Sequence, residues 1–186
     1  DQFVEQNLLA LDNRNMRVGS GGYGYCDELP GDGFDPEHVK PHNMWGCSNA
    51  QIFSEVSPQM RWEFAVEHDL KWLRRFGLTY YGCCEPLDQS IDVIKRIPNL
   101  RKISTTPWAN VPSMVEQVGT DYVLSRKPNP NVFARDEFNP QLARDAALYL
   151  RAIAKKFPGK PNAQRATKAF QNALGHARGR RMARAV

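Results

Sequence analysis

Residues 57–86 read SPQMRWEFAVEHDLKWLRRFGLTYYGCCEP, and this stretch decides the fold. Ser57 offers a side-chain oxygen to the first free backbone N–H groups of a helix. Pro58 fits the first turn, where its missing N–H costs nothing. Trp62, Val66, Leu70, Leu73 and Phe76 recur at spacings of four, four, three and three, so they share one helical face, and Gly77 stands where a helix ends. The pattern predicts a helix over Ser57 to Phe76. The apolar run Leu78-Thr79-Tyr80-Tyr81 then reads as a strand that gives way at Gly82-Cys83-Cys84-Glu85-Pro86 to a loop of small and reactive residues.

The same alternation extends on both sides. Leu87, Ile91, Ile94 and Ile97 carry a helical period, Leu100 to Ser104 a strand, Val111 to Val118 a helix and Tyr122 to Ser125 a strand. Met44-Trp45-Gly46-Cys47 and Met16-Arg17-Val18 are further short strand candidates, and Asn139-Pro140 opens an expected helix to about Lys156. Strands alternating with helices of this length pair in parallel through right-handed crossovers, so an α/β barrel or a doubly wound sheet is expected. A complete eight-stranded barrel needs about 250 residues. With 186 residues beginning at Asp1 and no secretory leader, the chain is expected to be a fragment.

The formal charge of +5 invites a nucleic-acid reading until the charge is located. Residues 151–186 hold ten Lys or Arg and no acid, leaving 15 basic against all 20 acidic residues in 1–150. The body is acidic. The tail lacks interleaved aromatics apart from Phe157 and Phe170, so nucleic acid is an unfavoured partner. No apolar run reaches the roughly 18 residues of a membrane helix, and four Cys without a leader point to reduced thiols and a cytoplasmic setting.

Gly19 to Pro36, GSGGYGYCDELPGDGFDP, is too rich in glycine for a packed element and is expected to be a flexible loop at an active site. Its G-x-G-x-x-G spacing does not make a dinucleotide site, because no helix opens at the last glycine. Cys83-Cys84-Glu85 falls at the carboxyl end of a strand, the ligand-binding end of parallel α/β folds. Two thiolates and a carboxylate suit zinc. Adjacent strand residues point to opposite faces, however, so one cysteine is expected to pack in the core unless the strand has ended. Cys26 and Cys47 could approach the same mouth. His38, His42 and His68 are more simply solvated or packed.

Arg126-Lys127-Pro128-Asn129-Pro130 follows the last strand with two cations and an amide, a set that suits a substrate carboxylate or phosphate. Trp108 occupies the equivalent place after Leu100 to Ser104, as an aromatic wall. Glu85, Lys127 and Asn129 are the candidate catalytic residues. Trp108, Arg126, Trp45 and Tyr81 are the candidates for substrate binding, and Cys84 and Cys83 for metal.

The stretch 57–86, with a strand, a helix and an Asn-Pro turn in the same order after it, resembles the uroporphyrinogen decarboxylase superfamily. There a Ser-Pro-opened helix precedes a strand ending in a His-x-Cys-Gly motif. DNRNMRVGSGGYGYCDELP and MWGCSNAQIFSEVSP look like a bacterial branch of it, and the resemblance spans roughly Asn7 to Asp145. It implies the second half of a (β/α)8 TIM barrel over residues 1–150. It also implies a small-molecule substrate, and methyl transfer between a methylated compound or corrinoid and a thiol. Zinc, and a corrinoid or its carrier protein, are the implied cofactor and partner. The alternatives are metal-independent tetrapyrrole decarboxylation, and an inactive barrel or ligand-binding module. The motif cysteine falls on Cys84, whereas the motif histidine falls on Gly82. The family's Gly-Asn-x-Asp-Pro turn carries Arg126 and Lys127 in its first places and Asn129 for the acid. Residues 151–186 depart altogether and are expected to form a basic, poorly ordered or frame-shifted tail. Half a barrel leaves strand edges open, so a homo-oligomer is expected.

Overall fold

The computed structural model describes residues 1–11, 18–21, 24, 26–132 and 141. Of the expected helix from Asn139 to Lys156 only Gln141 is among these residues, and the basic tail and Met16-Arg17 lie outside them. Four strands, β1 (Trp45–Ser48), β2 (Leu78–Tyr81), β3 (Leu100–Thr105) and β4 (Val123–Arg126), form one parallel sheet in the order β1-β2-β3-β4. The architecture is α/β, a four-stranded parallel sheet with helical crossovers.

After a short amino-terminal helix, α1 (Gln2–Glu5), the first crossover runs from Pro58 to Leu73 without a break. It comprises α2 (Pro58–Arg61), a π turn (Trp62–Val66) and α3 (Glu67–Leu73). The Ser57 hydroxyl accepts the Met60 N–H at 3.2 Å, the cap read from the sequence. Val66, Leu70 and Leu73 are buried against the sheet, as their spacing required. α4 (Ile91–Ile94) is much shorter than the period from Leu87 to Ile97 implied. Leu87 and Ile97 still belong to the buried cluster, so the apolar positions serve the core from turns on either side of a single helical turn. α5 (Val111–Val118) has the bounds its pattern gave, with Asn110 Oδ1 capping the Ser113 N–H at 3.2 Å.

Strand register sorts the side chains into two faces. Ser48, Tyr81, Ile103 and Leu124 lie in one row, and Tyr81, Ile103 and Leu124 join the core beneath the helices. Cys47, Tyr80, Lys102 and Val123 form the neighbouring row on the opposite face, followed along the strands by Ser104 and Ser125. A bulge at Thr79/Tyr80 brings Lys102 opposite Tyr80. One face is thus an apolar core and the other carries the polar side chains.

The glycine-rich segment covers that polar face. Gly19–Gly21 is a 3-10 turn, and a Cβ on Gly21 would stand 2.8 Å from the Tyr80 ring, so only glycine lets the backbone lie so close. Ser125 Oγ donates to Gly21 O at 3.0 Å, Ser20 Oγ to Gly82 O at 3.1 Å and Trp45 Nε1 to Gly24 O at 3.0 Å. Gly19, Gly21 and Gly24 of this expected flexible loop thus lie against Cys47, Tyr80 and Trp45, whereas Gly31 and Gly33 are exposed with positive φ. At the first three, glycine reflects close approach rather than freedom. Val18, the last residue of an expected strand, is buried outside any strand.

Candidate functional site

The carboxyl ends of β2, β3 and β4 bring Lys127, Tyr80, Ser104 and the Cys83-Cys84 loop together. Lys127 continues the β4 ladder, its N–H donating to Thr105 O at 2.8 Å, which fixes its side chain over the polar face. Its Nζ donates to Tyr80 Oη at 2.9 Å and to Ser104 Oγ at 2.6 Å. Ser104 Oγ in turn donates to Cys83 O at 2.6 Å, and Tyr80 Oη lies 3.3 Å from Ser20 Oγ. An ammonium has three N–H donors. Two are spent on Tyr80 and Ser104, and the third meets no hydrogen-bond partner among the described residues.

Lys102 adds a second cation to this face. Burial, and then the nearby Lys127 charge, pull its pKa down from 10.5 to about 8. A lysine poised there changes charge within the range where enzymes work, and it raises the local positive potential when protonated.

Glu85 sits on the other side of the loop. It is 1% exposed, with Oε2 accepting the Cys83 N–H at 2.9 Å and Oε1 the Ala50 N–H at 3.3 Å. Both oxygens are thus engaged in joining the loops that follow β1 and β2. Around it lie Arg61, also 1% exposed, and Tyr81, fully buried. Arg61 Nη1 and Nη2 reach Ala50 O and Ser54 O at 3.5 and 3.4 Å, while Arg61 Nε and the Tyr81 hydroxyl meet no partner among the described residues. Burial pushes the Tyr81 phenol far above its ordinary pKa, Arg61 opposing and Glu85 and Asp69 reinforcing. Tyr81 is accordingly a neutral core residue on the helical side, facing away from Lys127.

Cys83 and Cys84 come together, contrary to the alternation expected of a strand. β2 has ended at Tyr81, and Gly82 turns the chain with φ +101°. The two Sγ atoms stand 3.6 Å apart. The Cys84 thiol is pushed up chiefly by its contact with Cys83 and then by burial, with Lys127 acting in the opposite sense. Among the described residues no third His, Cys, Asp or Glu joins them in a group able to hold a metal. With Glu85 engaged by backbone N–H groups, the residues in place do not fit a zinc shell, which takes four ligands.

The remaining candidates are spread over the sheet, and Trp45 stands apart from this centre. Arg126 Nη1 donates to Thr106 O at 2.5 Å and Lys127 O at 2.8 Å, tying the last strand to the loop after β3. Asn129 Oδ1 accepts the Asn131 N–H at 3.0 Å and shapes the turn beyond Lys127. Trp108 is 65% exposed on the loop after β3. Trp45 lies at the amino end of β1, at the other end of the sheet from Lys127, with its ring beside Gly24 and Val18. Cys47 lies under Gly19 on the polar face, and burial raises its thiol pKa.

Tyr80, Ser104, Lys102 and Arg61 were not among the residues singled out from the sequence. Lys102 and Ser104 flank Ile103 at a spacing of two within a recognised strand, which by itself assigns them to one face. Tyr80 follows from Tyr81 by the same alternation. Arg61 had no such signal, because a π turn shifts the face of the helix on which it lies. No family model matches this chain, and no curated protein or solved structure matches it either.

Proposed function

We propose that this chain is part of a uroporphyrinogen decarboxylase-like enzyme, its parallel sheet a segment of a (β/α) barrel, that acts on a small carboxylated substrate without a metal. The observation that carries the reading is Lys127, held by Tyr80 and Ser104 at the carboxyl ends of the strands with Lys102 beside it. When a carboxylate leaves as CO2, the C–C electron pair stays on the substrate and spreads into an adjacent unsaturated ring. An ammonium held in place by two hydrogen bonds, with a third N–H to offer, stabilises that charge without reorganising. It can then return a proton to the carbon. Ser104 and Tyr80 are positioning residues in this scheme, and Trp108 offers an exposed ring to a flat substrate.

The test is turnover of uroporphyrinogen by the full chain in the presence of chelator, with products separated by chromatography. Expected are loss of carboxyl groups unaffected by chelation, and a fall of about 100-fold in Lys127→Met, the scale of removing one such donor. Absence of decarboxylated product overturns the reading.

A second reading, methyl transfer from a methylated compound or corrinoid to a thiol, is favoured by one observation, the 3.6 Å separation of the Cys83 and Cys84 sulfurs. It requires zinc and ligands beyond the described residues. Metal content before and after Cys84→Ala decides it: stoichiometric zinc lost in the variant supports it, and no bound metal in either removes it.

A further inference from the structure

We propose that Cys83 and Cys84 form a reversible dithiol–disulfide couple, closing to a disulfide between adjacent residues when the chain meets a small-molecule disulfide. The geometry is uneven in a way that assigns each thiol a part. Cys84 is exposed and Cys83 half-buried. The backbone of Cys83 is held at both ends, its N–H by Glu85 Oε2 at 2.9 Å and its C=O by Ser104 Oγ at 2.6 Å. Sulfur atoms 3.6 Å apart need to approach by roughly 1.5 Å to reach the ~2.05 Å of a bond. Gly82, with φ +101°, has already turned the chain so that both thiols lie on one side.

The steps balance as ordinary thiol–disulfide exchange. The Cys84 thiolate attacks one sulfur of oxidised glutathione, forming a mixed disulfide and releasing one glutathione thiolate. Cys83, deprotonated, then attacks Cys84 Sγ and releases the second. The protein loses two protons and two electrons, and the glutathione disulfide is reduced to two thiols. Because the Cys83 carbonyl accepts Ser104 and Ser104 accepts Lys127, closure acts on the hydrogen bonds that orient the Lys127 ammonium. Cys47 is excluded from the couple by its cover of Gly19, whose Cβ would stand 2.9 Å from the Cys47 sulfur.

The experiment equilibrates the full chain in buffers of stepped oxidised-to-reduced glutathione ratio, alkylates free thiols and maps peptides by mass. Expected is joint loss of both alkylations on the peptide carrying Cys83 and Cys84, with a mass lower by two hydrogens, reversed by reduced glutathione. Cys83→Ser is expected to stop at glutathione on Cys84. The inference is overturned if wild type retains glutathione on Cys84 without closing, if both thiols stay open to alkylation at every ratio, or if either pairs instead with Cys26 or Cys47. The wild-type map decides by itself should the variant fail to fold.

Discussion

Lys102 shows how much a single position on a strand can carry. Its charge is disfavoured by burial, and its pKa falls from 10.5 to about 8. Between those values the unfolded chain binds a proton that the folded chain does not, so this group makes stability rise with pH across that window. Below about pH 8 both states are protonated and the full cost is present. Urea unfolding of wild type and Lys102→Met at stepped pH checks this: the variant should lack the rise, and a wild-type slope of opposite sign contradicts it. On the same titration, affinity for a carboxylated ligand should decline as pH passes about 8, and Lys102→Met should flatten the profile. Glu85 makes the complementary case. Glu85→Ala leaves the Cys83 and Ala50 N–H groups buried without partners, which costs on the order of 2–5 kcal/mol. Glu85→Gln, which keeps an acceptor, should cost less by the same urea measurement. The sequence places Glu85 just past the end of β2, where the structure has it, but does not give the direction of its side chain. The turn at Gly82 sets its carboxylate inward to backbone while Cys84 is exposed and Cys83 half-buried.

At the scale of elements, what the sequence displays clearly is whatever depends on period and caps. The helix opened by Ser57-Pro58, the helix from Val111 to Val118 and the strands from Leu78, Leu100 and Val123 follow from spacing alone. What it hides depends on neighbours distant in sequence. Gly19–Gly21 looked free because glycine usually is, yet it is glycine because Tyr80 and Cys47 lie against it. Gly82 is the sharper instance. It stands where the resembled family has a histidine, but its φ is +101° and a Cβ there would meet Leu87 Cδ1 at 2.6 Å and Ser104 Cβ at 2.8 Å. Gly82→His should therefore destabilise the chain by about 1–3 kcal/mol or more from backbone strain, before any clash is counted. Thermal unfolding with and without added zinc checks this. A variant as stable as wild type that gains a zinc ion would show that the loop resembles the family's more closely than its backbone indicates.

For the whole molecule, the described residues form one parallel sheet with an apolar core under its helices and a glycine-covered polar face on the other side. Among those residues, β1 and β4 each have a strand neighbour on one side only. Unpaired strand edges favour association. Sedimentation of the full chain is expected to show mass rising with concentration; a single monomeric species across the whole range contradicts this. No described helix is long and apolar enough to cross a membrane. At the carboxyl ends of the strands, Tyr80 and Ser104 converge on the Lys127 ammonium. The most direct measurement is binding of a fluorescent carboxylated porphyrin to wild type, Lys127→Met and Tyr80→Phe, with chelator present throughout. Saturable binding, weakened at least tenfold in Lys127→Met and by less in Tyr80→Phe, is the predicted result. Equal affinity in all three chains, or none in wild type, would contradict a substrate-anion site built on Lys127.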